Sequence, residues 1–588
     1  MSSSSAAPPA TYTTPTKRAG FSSTATAEAG PSRARPAGAS PAYSSRRHSL
    51  YGIEDRIVID PGSRTWKVGF SGEPEPRSVF WSTPSSGEDE TEAWSLDPSL
   101  ISSARGDRAE GDRLAGISVL RNLRKAFFEC LMTDPKARKV IVLENTFLPR
   151  YVKEHIAQAL FDSLKVPSVA FTPSSVLALA ACGRITGLVV DCGWLETTVT
   201  PVYHSRPLYH LARSTALAGR ALHRRLRRLL NHHATYYPPP ASLGNLARQP
   251  VKPVPTGLLT DQLIERILTE GCFVGGVFVP RADETDEDEA MDVDAVQEKA
   301  EVEARREADR LARRYADDSS SSAKDMRFSV TPSSGSKAMG TGTLVVPGWL
   351  RERASEILFG DAVDEDESIP GLILACVLKC PIDLRAPMLS NILVTGGTSS
   401  LPNWITRLRV SILQSLLPPP SDPSEHSGAV PPFGTPEARG KETREWRRRG
   451  DEPYKALYGL AGKVVILNDP APLSGDAQGA GASRGGSAPR WTTGLMSWVG
   501  GSLAGALKTS GPEIMREEYD MLVSESLARG EVWYEASDAA LAEVAATAGL
   551  DLEEMRPGMA MQGLEAQRKR GWDEGRVLGD WTRATALV

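Results

Sequence analysis

The sequence has little cysteine, little histidine and few aromatic residues: six Cys, eight His and 6% Phe, Trp and Tyr in 588 residues. The cysteines stand at Cys130, Cys182, Cys192, Cys272, Cys376 and Cys380, with no CxxC pair and only the last two close together. That pattern offers no disulfide framework and is expected of a reduced, intracellular compartment. His232 and His233 have no ligand partners at zinc spacing. No apolar run approaches the ~18 residues that a membrane-spanning helix needs, so no membrane span is expected. An apolar stretch of the kind that opens a secretory signal is also missing from the first 49 residues. Net charge is only −5 with both signs mixed, which excludes a whole-molecule field for nucleic acid, and no direct nucleic-acid binding is expected.

What is present is enough apolar material, 40% of residues, to build sizeable cores. Length alone predicts about three or four domains. Residues 1–52 form a tail rich in Ser, Pro, Ala and Arg, with Glu28 the only acid before Tyr51. Its composition resembles a mitochondrial transit peptide, but its prolines interrupt any amphipathic helix, and it is expected to be disordered. After it, one pattern occurs twice: Ile57-Val58-Ile59-Asp60-Pro61-Gly62-Ser63 and Leu188-Val189-Val190-Asp191-Cys192-Gly193. A third apolar run ends in Val394-Thr395-Gly396-Gly397-Thr398. A buried strand that stops at Asp-x-Gly turns backbone N–H groups outward, a concavity suited to phosphate oxygens. Its Asp can order a metal ion through water. Two such loops facing each other would clamp a polyphosphate.

Around these motifs the pattern alternates strand and helix. A hairpin is expected from Arg56 to Phe70, helices over Ile117–Met132 and Pro149–Leu164, and strands at Lys139–Leu143 and Ser168–Phe171. A helix over Thr172–Ala181 then meets the second Asp-x-Gly strand, and the plan starts again. The duplication implies an α/β fold of two similar lobes with a cleft between them. In Arg220–Leu230 the leucines make a core-facing stripe, so its arginines read as a solvated outer face. Residues 82–116 read as a loop or small outer lobe. Residues 281–325 read as an acidic, solvated insertion, charge-rich and helical over Val296–Tyr315, with a docking surface for a basic partner as the alternative. Residues 418–450 and 470–490 read as flexible insertions, and 521–588 as a partly helical C-terminal extension.

With those elements placed, the chain resembles the actin-related proteins, which share the fold of actin, Hsp70 and sugar kinases. Ile57 through Gly72 is similar to the family's first phosphate loop and hairpin, and Gly183 through Gly193 to its second. Leu217-Ala218-Gly219-Arg220, Lys379 through Arg385, Asn391 through Thr398, Ser497 through Ser502 and Glu518-Tyr519-Asp520 resemble later pieces. The resemblance spans residues 53–520 and implies ATP or ADP with magnesium, held by Asp60, Gly62, Ser63, Lys67, Asp191, Gly193, Gly396, Gly397 and Thr398. Asp60 and Asp191 would reach the metal through water.

The departures from that pattern bear on chemistry. Arg64 replaces a family glycine, while Trp194 and Leu195 replace an Asp and a Gly. The Gln that orients actin's attacking water falls here on Ser174, and a nearby His on Thr198. Loss of positioning removes most of what drives phosphoryl transfer, so no catalytic residue and no ATP hydrolysis is expected. The short 82–116 stretch and Leu143 through Pro149 resemble the pointed-end subunits of dynactin (actin-related protein 10, also numbered 11). That likeness implies a cytoplasmic, cytoskeletal protein bound to actin-like filament subunits and other pointed-end dynactin subunits, and indirectly to dynein in microtubule transport. Two alternatives remain open at this point: an actin-related subunit of a nuclear chromatin-remodelling complex, and a weak ATPase of the same fold.

Overall fold

The computed structural model describes residues 56–82, 105–239, 249–277, 296–316, 320, 323–331, 340–360, 368–417, 453–469 and 493–528. The N-terminal tail, both flexible insertions and the C-terminal extension beyond residue 528 lie outside the described residues.

The first lobe grows from β1 (Ile57–Pro61), every residue of which is buried. A run of β-branched residues suits a strand covered on both faces. It pairs antiparallel with β2 (Thr65–Phe70), setting Asp60 opposite Lys67, and β3 (Ser78–Trp81) follows on the far side of β2. Helix α1 (Arg105–Arg124) continues into a π-helical turn, Lys125–Cys130. Then come β4 (Val140–Glu144), α2 (Arg150–Gln158), β5 (Ser168–Pro173) and α3 (Ser174–Ala181). Val119, Leu123, Phe127, Ile156 and Leu160 of the helical layer are fully buried with Ile57, Ile59 and Val142 of the sheet. Burial of each such side chain contributes about 1.5–3 kcal/mol.

Helix α1 starts at Arg105 rather than near Ile117, so part of the expected 82–116 loop is helix. The sequence there, Arg-Gly-Asp-Arg-Ala-Glu-Gly-Asp-Arg, has no apolar stripe, and periodicity therefore carried no helix signal. Residues 83–104 of that stretch lie outside the described residues.

The second lobe repeats the plan. β6 (Gly187–Cys192) is antiparallel to β7 (Thr197–Tyr203), as β1 is to β2, and it sets Asp191 opposite Thr198. Two short strands, β8 (Arg206–Pro207) and β9 (Arg213–Thr215), pair with β7. Helix α4 (Gly219–His233) buries Leu222, Leu226, Leu229 and Leu230, the expected stripe, and buries His223 and Arg225 as well. Beyond it lie β10 (Thr235–Tyr237), α5 (Asp261–Gly271), α6 (Val296–Ala316), β11 (Met326–Val330) and β12 (Gly342–Val346). The three strands form their own sheet in the order β10-β12-β11.

Within the stretch 281–325, helix α6 departs from the expectation of a solvated insertion, and residues 281–295 lie outside the described residues. Ala308, Leu311 and Tyr315 are buried in the second-lobe core. They recur at i, i+3 and i+7, an apolar stripe masked in the sequence by the surrounding charge.

The chain continues through α7 (Gly348–Arg353), α8 (Ile369–Lys379), α9 (Ile382–Leu389), β13 (Ile392–Thr395) and α10 (Trp404–Ser415). β13 lies parallel to β6, as β4 lies parallel to β1. It then returns to the first lobe. Trp498 of α11 (Met496–Ala506) donates its indole N–H to the Val58 carbonyl at 3.2 Å. β14 (Ile514–Met515) adds to β5, and Tyr519 of α12 (Arg516–Ala528) stacks on Phe161 and donates to Asp162 at 3.0 Å. The motifs near the end of the family resemblance thus close the lobe in which the chain began.

Candidate functional site

All nine residues expected from the loops line one cavity of about 470 Å³ between the lobes: Asp60, Gly62, Ser63, Lys67, Asp191, Gly193, Gly396, Gly397 and Thr398. That volume is within the usual range for a small-molecule site. The first loop is closed by Gly62 N–H donating to the Thr65 carbonyl at 3.1 Å, and its Ser63 carbonyl accepts from the Ser82 hydroxyl at 2.6 Å. The second and third loops are joined directly, because the Thr398 hydroxyl donates to the Gly193 carbonyl at 2.8 Å. Thr398 therefore acts on the loop backbone as well as lining the cavity.

The acidic end is electrostatically strained. Asp60 is buried and takes a salt bridge from Lys67 at 2.5 Å. Burial, together with the charge of Asp60, pushes the Asp191 carboxyl up to about 6, and Lys67 offsets part of that. Glu196, behind the second loop, is pushed up to about 7 by burial and by Asp191, against a hydrogen bond from Ser214. Among the described residues no three His, Cys, Asp or Glu side chains converge as a metal cage. The two carboxylates Asp60 and Asp191 lining one cavity suit magnesium, which keeps most of its water and takes one or two carboxylates beside phosphate oxygens.

The raised Asp191 predicts a measurable effect in the ligand-free chain. A carboxyl whose folded value lies above its unfolded value holds its proton more tightly when folded. Stability therefore falls as pH rises from the unfolded value near 4 to about 6, and above that the whole cost of the charge is present. Asp191→Asn is expected to stabilise the metal-free protein by on the order of 2 kcal/mol at about pH 8, and by little at about pH 4. It should also remove any stabilisation by magnesium nucleotide. Thermal melts at the two pH values check both parts.

Sequence reasoning missed part of the wall. Glu265, Leu268 and Thr269 of α5, Trp81 of β3, Asn145 after β4 and Gly494 before α11 line the same cavity. Glu265 reaches it from 201 positions beyond Arg64, and no local motif signals such an approach. Arg64 and Trp194, read as departures from the family pattern, also line the cavity. Ser174 and Thr198 do not: both are buried, at the start of α3 and within β7.

A repeated three-strand core, β4-β1-β2 in one lobe and β13-β6-β7 in the other, with two Asp-x-Gly loops lining one cavity, is the arrangement to which comparison with known proteins also leads. The actin family model matches residues 54–251 and 304–425. The chain belongs to the actin family. The SWI/SNF and RSC complexes subunit arp42 of Schizosaccharomyces pombe is 26% identical over 377 residues, covering 60% of this chain and 84% of that protein. Actin-related protein 4 of Arabidopsis thaliana is 24% identical over 412 residues, covering 62% of this chain and 87% of that protein.

These relatives overturn the expected dynactin pointed-end subunit. With it go the cytoplasmic and cytoskeletal location, the filament and pointed-end partners, and the indirect link to dynein. One relative is named for SWI/SNF and RSC complexes and neither for dynactin. Of the stretch 82–116 on which that expectation leaned, Arg105–Gly116 belongs to a helix and residues 83–104 lie outside the described residues. Neither relative is named for an enzymatic activity.

Proposed function

We propose that this actin-family chain is a non-catalytic subunit of a nuclear chromatin-remodelling complex of the SWI/SNF or RSC type. The relationship to arp42 over 84% of that protein's length carries the reading. The cavity lining is consistent with a structural use of the cleft. Gly62, Ser63 and Gly193 would face the phosphates with Lys67, Asp60 and Asp191 would hold magnesium through water, and Gly396, Gly397 and Thr398 would flank the adenosine. A magnesium nucleotide bound there would join the loops of the two lobes, its metal offsetting the charge of Asp60 and Asp191. The positions that orient water in actin carry Ser174 and Thr198 here, outside the cavity wall, and that loss of positioning supports the non-catalytic reading.

Affinity purification of the tagged full chain from nuclear extract, followed by mass spectrometry, tests the assignment. Co-purification of a SWI/SNF-type or RSC-type set of subunits is the expected result, and a complex without any of them overturns the reading. Steady ATP turnover by the purified chain, lost in Asp191→Ala, would overturn the non-catalytic part separately.

A further inference from the structure

The two replacements that bring bulk to the cleft meet each other. Arg64 belongs to the β1–β2 loop of the first lobe, and Trp194 to the β6–β7 loop of the second. The guanidinium carbon of Arg64 lies 3.6 Å from the centroid of the Trp194 ring. Trp81 of β3 stands 4.8 Å from the same carbon. Arg64 also reaches Glu265 of α5, in the second lobe, with Nη2 3.5 Å from Oε2. The crossing is mutual. Leu195, next to Trp194, is only 5% exposed and sits in the core of the first lobe, against which Trp194 itself packs. On its other side Trp194 meets His223 of α4 edge-on, with ring centroids 5.4 Å apart.

We propose that Arg64, Trp194 and Glu265 form a latch that holds the two lobes together across the cleft with the chain's own side chains, so that closure needs no bound ligand. This goes beyond the subunit assignment and stands whether or not the cleft takes a nucleotide. Stacking carries most of the latch. Arg64 is 14% exposed with an aromatic ring at close range, which places the cation–π contact toward the strong, desolvated end of its range. Glu265 is 33% exposed, and its ion pair at 3.5 Å is screened and modest. The guanidinium is planar and weakly hydrated, and a lysine ammonium at that position would not lie flat on the ring. A latched cleft presents one fixed surface to the neighbouring subunits, independent of nucleotide supply.

Hydrogen–deuterium exchange on the full chain tests this, after magnesium and nucleotide are stripped with chelator and apyrase. The relevant peptides cover residues 60–67, 191–198 and 394–401. Wild type is expected to stay protected in these peptides when stripped, with magnesium ADP adding only the protection that direct contact with the ligand gives. Arg64→Lys and Trp194→Ala are expected to exchange there roughly tenfold faster when stripped, while β4 and β5 stay protected. Glu265→Gln should change little, and Trp194→Phe should retain much of the protection. Restoration of the variants by magnesium ADP would show the ligand replacing the latch. Without restoration, the nucleotide part of the functional reading fails while the stripped comparison still decides the latch. The latch is overturned if stripped wild type opens, if both stacking variants exchange like wild type, or if Glu265→Gln opens the cleft more than Arg64→Lys. Should Trp194→Ala not fold, shown by fast exchange in β4 and β5, the Arg64→Lys and Glu265→Gln pair decides alone.

Discussion

Gly396→Ala is expected to destabilise the protein by roughly 3–5 kcal/mol, about the sum of one strained backbone conformation and one overpacked contact. Gly396 has φ of +97°, a region that L-residues with a side chain rarely enter. A methyl group there would also fall on the backbone of Cys192, at its carbonyl. Backbone cannot rotate away as a side chain can, so β13 and β6 would have to part where Thr395 pairs with Asp191. A loss of this size is a large fraction of the ~5–15 kcal/mol that usually holds a domain folded. The neighbouring residue supplies the control. Gly397 has φ of −65°, and no atom lies within 4 Å of where an added methyl group would stand. Gly397→Ala should therefore leave the denaturation midpoint nearly unchanged. Urea or guanidinium titration of the two variants gives the comparison.

The same pair shows what was legible in the sequence. The loop Val394 through Thr398 is recognisable from its apolar run and its glycines, and the structure sets it against the second Asp-x-Gly loop. Which glycine is indispensable depends on the approach of Cys192, far away in the chain, and no local pattern carries that. The duplicated strands were legible because a strand buried on both faces writes itself as a continuous apolar run. They stand in separate sheets, and Asp60 and Asp191 at their ends line one cavity. Helix α6 was legible as a helix, but its burial was hidden: Ala308, Leu311 and Tyr315 are three apolar positions in a field of Arg and Glu. The α5 wall of the cavity lay beyond reach, because nothing local to Glu265 or Thr269 marks them as facing a loop of the other lobe. Of the departures, Arg64 and Trp194 line the cavity while Leu195 is buried in the first-lobe core, and only coordinates show Arg64 lying on Trp194. The subfamily was not legible, since the short stretch 82–116 and Leu143 through Pro149 on which it rested carry no group that marks a binding partner.

Gly500→Ala should reverse the usual sign of a glycine-to-alanine change inside a helix. In an exposed helix interior that substitution stabilises by roughly 0.5–1 kcal/mol, because glycine loses more backbone freedom on folding. Gly500 lies in the middle of α11, where a methyl group would strike the backbone of Leu177 in α3. The two helices touch backbone to backbone, and neither can yield by changing a rotamer. Expected destabilisation is on the order of 2–4 kcal/mol, the overpacking cost less the small propensity gain. Leu503→Ala on the same helix, where the side chain is 42% exposed, should cost far less. The effect should also reach the cleft. Ser497, in the first turn of α11, and Gly494 just before it both line the cavity. A helix pushed off α3 carries those residues with it and strains the bond from Trp498 to Val58, one strand residue before Ile59 and Asp60. Gly500→Ala is therefore expected to lower the denaturation midpoint and to weaken magnesium-nucleotide stabilisation together. A variant that lost the first without the second would mean that α11 supports the fold but does not set the floor of the cleft.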